Sequence, residues 1–223
     1  EKSGLQVGDI ITGVDGNSVA GKSADEISDL IRGEANTKVK LTIIRNTEQQ
    51  EVEVERANVD SAVTSEIRDN DGKKFGYVKI NTFGSTTADD IEAALQTFTA
   101  EKIDTLVLDL RDNGGGYLTA ATDVLSLFMK EDKLLFQMET KNGAIEKYKA
   151  KDCQKYNFIN GYILVNGNTA SASEVVAGAL QEKMNYKLVG DQTYGKGTAQ
   201  THKQLSDGSV LKYTYAKWLL PSG

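Results

Sequence analysis

The stretch TLVLDLR, residues 105–111, is almost continuously apolar. A strand with one wet face alternates apolar and polar residues. One without alternation is built to be covered on both sides, as in a parallel sheet flanked by helices. Its neighbours fit that demand. GYVKI (76–80) reads as a strand, and Ile91, Ala94, Leu95 and Phe98 then form a helical stripe. After NGGG, Leu118, Ala121, Leu125 and Phe128 share one helix face. KLLFQMET and GAIEKYKA read as two further strands, and YILVN as another buried one. The helix SASEVVAGALQEK follows, with Val175, Val176, Ala179 and Leu180 as its stripe. Alternating strands and helices predict an α/β core with parallel pairing.

Residues 1–56 are patterned differently and predict a small β-rich unit. GDIITGVDG reads as a strand entering a turn at Asp15-Gly16. Ser23 and Glu26 have capping-box spacing ahead of an apolar stripe of Ile27, Leu30 and Ile31, so a short helix follows. KVKLTIIR and EVEVER alternate with period two around the polar NTEQQ, which predicts a hairpin. Residues 57–74 are polar and weakly patterned and read as a connection between domains. The second domain then runs over 75–223.

Composition removes several functions. A formal charge of −6 with no basic stretch excludes a nucleic-acid surface. No apolar run approaches the ~18 residues of a membrane-spanning helix. One cysteine, Cys153, rules out a disulfide framework and a cysteine zinc site. The one histidine is His202. A Cys153–His202 pair is disfavoured because Cys153 sits in polar KDCQKYN, without a helix start to activate it.

VGDQTYGKGTAQ (189–200) nearly spells a phosphate loop, but Gly197 stands where the magnesium-binding hydroxyl belongs, and GTAQTHKQLSDGS reads as an irregular strand instead of a helix. The Gly114–Gly116 cluster lacks the third glycine of a dinucleotide fingerprint, because Thr119 occupies that position. What survives is general. Glycines at a helix start let backbone amides approach a developing negative charge.

NTASASEVVAG places Ser171 and Ser173 at the start of an apolar helix, where unpaired amides and the dipole favour negative charge. Either serine is a cap or a nucleophile there. A nucleophile needs a base, either His202 or a lysine kept neutral by burial. Lys196 lies among Gly195, Gly197 and Thr198, where small residues allow tight packing around the amine. In an extended segment Lys196, Thr198 and Gln200 face the same way. Gln200 is then placed to hold the amine.

Together, LDLRDNGGGYLTAATDV, NGNTASASEVVAGAL and VGDQTYGKGTAQ resemble the C-terminal processing peptidases, or tail-specific proteases. The order matches, as do the 25-residue step from Ser171 to Lys196 and the four-residue step to Gln200. SGLQVGDIITGVDG likewise resembles the second half of a PDZ domain, which this family carries ahead of its core. The resemblance implies an α/β peptidase core similar to the ClpP/crotonase fold behind a partial PDZ domain. It implies a Ser–Lys serine endopeptidase without metal or cofactor, in which Ser171 attacks, Lys196 accepts the proton and Gln200 orients Lys196. It places the oxyanion between the Ala172 amide and that of Gly116 or Gly115, and leaves Ser173 as a rival nucleophile. Gly114 stands where the family has proline, which loosens the loop while keeping the amides. The implied partners are protein or peptide substrates with a free C-terminus, and a homo-oligomer is left open. The implied location is extracytoplasmic. The family's carboxylate-binding loop is expected before SGLQVGD and more of its core after WLLPSG, so the chain reads as a piece of a longer protein. The rival expectation is a silent scaffold that kept the shape without the chemistry.

Overall fold

The computed structural model describes residues 3–6, 8–22, 24–34, 36–56, 61–205 and 208–223, without the side chains of 24, 25 and 202. The chain forms two compact units, Glu1–Asp60 and Ser61–Gly223.

The first unit contains β1 (Ile10–Val14), β2 (Asn17–Ser18), α1 (Ala24–Ile31), β3 (Lys38–Arg45) and β4 (Glu48–Glu55). The strands form an antiparallel sheet in the order β2-β1-β3-β4. Asp15 and Gly16 both take positive φ, the left-handed pair a two-residue hairpin needs. Val39, Leu41 and Ile43 alternate inward and meet Val14 and Val19 in a small core. Ile27 and Ile31 pack on that core, whereas Leu30 is exposed. The expected Ser23 cap lies outside the described residues. The β3–β4 turn is tighter than NTEQQ: only Asn46 and Thr47 turn, and Arg45 already pairs with Glu48. Arg45 grips Asp9 through two hydrogen bonds of 2.7 and 2.6 Å, while the Gln6 amide donates to the same carboxylate at 2.8 Å. These bonds, Arg45's first, hold Asp9 down to about 2.

The second unit opens with β5 (Val63–Asn70), β6 (Lys73–Ile80), α2 (Thr87–Ala100), β7 (Thr105–Asp109) and α3 (Leu118–Ser126). It continues through β8 (Leu134–Thr140), β9 (Ile145–Lys149), β10 (Asn160–Val165), α4 (Ala172–Met184), β11 (Lys187–Gly190), β12 (Thr198–Gln204) and β13 (Val210–Leu219). Its main sheet has the order β11-β10-β7-β6-β5, parallel except for β5. The uninterrupted apolar strand is β7, at the centre. Leu106, Leu108 and the following Leu110 have no exposed surface. A second, antiparallel sheet runs β12-β13-β8-β9.

Residues 57–74 are therefore not simply a connection. Residues 57–60 lie outside the described residues, but Val63–Asn70 is an edge strand that pairs along its whole length with β6. It is paired on one side only and mostly exposed, so its sequence lacks the apolar alternation of an inner strand.

One core joins both sheets and the helices of this unit. Ile91, Leu95 and Phe98 of α2, Ala121 and Leu125 of α3, and Val175, Val176 and Leu180 of α4 all enter it. α4 is more than amphipathic, because every residue from Ala172 to Leu180 is buried. Each fully buried valine or leucine there contributes about 1.5–3 kcal/mol. The start of α4 is thus held inside the buried core.

Candidate active site

β10 carries the chain out of the sheet into a short loop, and α4 brings it back. Ser171 caps that helix with φ 58° and ψ −121°, a conformation that costs a non-glycine residue about 1–3 kcal/mol. The surroundings hold it there. Its amide donates to Glu174 Oε2 at 2.7 Å, and its carbonyl accepts from the Val175 amide at 3.0 Å. Ser173, two residues on, faces inward instead. It is fully buried and its Oγ donates to the Asn113 carbonyl at 3.0 Å, so it is not available as a nucleophile.

Asn113 also shapes the glycine loop after β7. Its side chain donates to the Ile80 carbonyl at 2.8 Å and accepts from the Gly115 amide at 2.9 Å. Gly115 and Gly116 have φ of 105° and 144°. A Cβ on Gly115 would stand 2.9 Å from the Ser171 Cβ, and one on Gly116 only 2.3 Å from the Phe83 carbonyl oxygen. Glycine is required at both for close approach as well as for φ. Gly114 is different: its φ is not positive and an added Cβ meets nothing. The Gly115 amide is spent on Asn113. The amides of Gly116 and Ala172 have no acceptor among the described residues.

Lys196 belongs to no helix or strand. Its backbone is clamped from both sides. Its amide donates to Glu174 Oε2 at 3.0 Å, and its carbonyl accepts from Trp218 Nε1 at 2.6 Å. The Trp218 amide fastens the next residue through the Gly197 carbonyl at 3.1 Å. The other Glu174 oxygen accepts from the Gly195 amide at 2.7 Å and from Thr193 Oγ1 at 2.8 Å. One largely buried carboxylate thus binds the backbone of Ser171 and the loop of Lys196. Lys196 Nζ has no hydrogen bond or ion pair among the described residues, and no hydrogen bond joins it to Ser171 Oγ.

Ser171, Lys196, Gln200 and Gly116 line a single cleft of about 340 Å³ with Tyr117, Leu118, Thr198, Ala199, Lys212, Tyr215 and Trp218. The expected extended run from Lys196 holds only in part. β12 begins at Thr198, and a bulge between Ala199 and Gln200 leaves Tyr215 of β13 without a partner. Gln200 reaches the cleft, but its Nε2 donates to Thr214 Oγ1 at 3.4 Å and makes no bond to Lys196. A strand, not a helix, follows Lys196, so no helix N-terminus is present to cradle a phosphate. Cys153 lies beside Ser126 and Lys155, outside this cleft, and the His202 side chain is outside the described residues. Among the described residues no group of three or more His, Cys, Asp or Glu is arranged to hold a metal ion.

Beneath the glycine loop, Asp109 at the end of β7 is buried. Burial pushes its carboxyl up. Paired bonds from Arg111 at 2.9 and 2.6 Å and one from Tyr77 Oη at 2.6 Å outweigh that and bring it below the usual range.

A model of peptidase family S41 matches residues 74–223, and a PDZ domain model matches residues 1–45. The chain belongs to peptidase family S41. It is 39% identical over 225 residues to the carboxy-terminal processing protease CtpA of Bacillus subtilis, and 37% identical over 226 residues to a probable CtpA-like serine protease of Staphylococcus haemolyticus. Both alignments cover all of this chain but 47% and 45% of the relatives, so the chain spans about half their length. Its fold is similar to that of the photosystem II D1 C-terminal processing protease, with TM-score 0.68 and 32% identity over all of this chain and 61% of that one. The chain is thus a mixed α/β S41 peptidase core preceded by a PDZ fragment.

Sequence reasoning missed Glu174, Trp218 and Asn113. Glu174 had a signal, since Ser171 and Glu174 have the same Ser-x-x-Glu spacing that was read as a cap at Ser23.

Proposed function

We propose that the protein is a serine endopeptidase that cleaves peptide bonds with a Ser171–Lys196 dyad. The observation that carries this is the convergence of Ser171, Lys196 and the Gly116 amide on one cleft at a buried helix N-terminus. Ser171 Oγ attacks the substrate carbonyl carbon and its proton passes to the free amine of Lys196. The oxyanion receives hydrogen bonds from the Gly116 and Ala172 amides, neither of which has an acceptor among the described residues, and not from the engaged Gly115. Collapse breaks the C–N bond, Lys196 returns the proton to the departing amine, and water hydrolyses the acyl ester by the same route. The bond between serine and lysine forms when substrate closes the cleft, as is common for catalytic pairs that stand loose without it. Gln200, held only by its 3.4 Å bond to Thr214, swings to orient the Lys196 amine.

The PDZ fragment and the peptidase core together imply protein substrates. We propose that these are recognised by a free C-terminal tail added as a strand to the PDZ sheet, and that the protein works outside the cytoplasm, on the family resemblance. Among the described residues no helix is long and apolar enough to cross a membrane. Ser171→Ala and Lys196→Ala, made in the protein at its full natural length, are each expected to abolish peptide cleavage. Normal turnover in either variant rejects the dyad.

A further inference from the structure

The cleft holds a second lysine with no part in the dyad chemistry. Among the described residues eleven line it; two are lysines, Lys196 and Lys212, and none is a carboxylate. Lys212 lies on β13, opposite His202, two residues before Thr214, which faces Gln200. By the two-residue period of a strand, Lys212 and Thr214 share the sheet face that carries Gln200 to the cleft. The Lys212 side chain, exposed on its strand, makes no hydrogen bond or ion pair among the described residues.

Resting on the peptidase reading above, we propose that Lys212 is a specificity residue that draws a substrate carboxylate into the cleft beside the scissile bond. A lysine ammonium is a compact point charge with three donors, suited to a carboxylate without fixed geometry. Two sources present that group: an acidic side chain flanking the bond, or the chain's own terminal carboxylate when the bond lies near the end. The neighbours Tyr117, Leu118, Tyr215 and Trp218 supply apolar surface for the rest of the segment. A charge-assisted bond at a partly open site gives a preference of about tenfold in kcat/KM.

The test uses peptides identical except for Glu or Gln at each of the two positions on either side of the cleaved bond, and a short set ending in a free acid or an amide. The full-length protein is expected to favour the charged member of one pair about tenfold, with the position or terminus identifying the source. The ratio falls towards one in Lys212→Met, persists in Lys212→Arg, and inverts in Lys212→Glu. It also shrinks with added salt, as a merely structural lysine would not make it do. An unchanged ratio in Lys212→Met, or no charge preference in any pair, overturns the assignment while leaving the peptidase reading intact. Absence of any Ser171-dependent cleavage in the wild type overturns both.

Discussion

The serine and the lysine are held in opposite ways. Ser171 begins a helix whose next nine residues are all buried, so its place is fixed by apolar packing that surrounds α4. Lys196 sits in an irregular loop that contributes no residue to the core, and its place is fixed by borrowed hydrogen bonds from Glu174 and Trp218. Packing is tolerant, because many contacts share the load. A loop tied at a few polar points is not. The lysine side is therefore where small changes will cost most in chemistry with least effect on the fold.

The largest effect that would sharpen this contrast is expected for Glu174→Ala. Four donors lose their acceptor and the lysine loop is freed. kcat is expected to fall about 10²-fold or more, as for other small misplacements of a reacting group. The unpaired donors cost about 1–3 kcal/mol for each one that stays buried, seen as a lower Tm. A Glu174→Ala protein with normal kcat would show that the loop is held by something else. Trp218→Phe is the milder probe. It keeps the ring and removes one donor to the Lys196 carbonyl, so kcat should drop roughly two- to tenfold with little change in KM. A larger loss from Trp218→Phe than from Glu174→Ala would reverse the order of the two clamps.

The smallest effect tests the serine side. Gly114→Pro adds atoms where a Cβ meets nothing, and removes an amide that has no acceptor among the described residues. It is expected to leave activity unchanged and to raise stability by about 0.4–1 kcal/mol through the unfolded chain, measured by denaturant unfolding. A loss of activity would mean that Gly114 needs its freedom after all, and that the oxyanion side is less rigid than its packing implies.

Much of the fold was legible because the features concerned are local. β7 and β10 announce themselves by apolar runs, and α2 by its stripe at Ile91, Ala94, Leu95 and Phe98. β5 was not legible, since an exposed edge strand has no buried face to impose a pattern on VTSEIRDN. At the site, Ser171, Lys196, Gln200 and Gly116 could be named from motif and spacing, and they share the cleft. The supports could not. Trp218 lies 22 residues from the carbonyl it bonds, and nothing in KWLL marks it as a partner of Lys196. The bulge opposite Tyr215 is equally silent, yet it interrupts the alternation used to align Lys196 with Gln200. Glu174 stands at capping-box spacing from Ser171, a signal that was missed, but its second task of tying down the loop 19 to 22 residues later depends on tertiary approach and has no local signal.

That shared carboxylate makes the first turn of α4 and the 193–196 loop a single exchangeable cassette. Grafting either piece alone from a relative separates the carboxylate from the three loop donors it holds, whereas transplanting both together carries the clasp intact. Anyone building chimaeras of this protein should cut the chain before Ser171 and after Gly197, and leave the span between them whole.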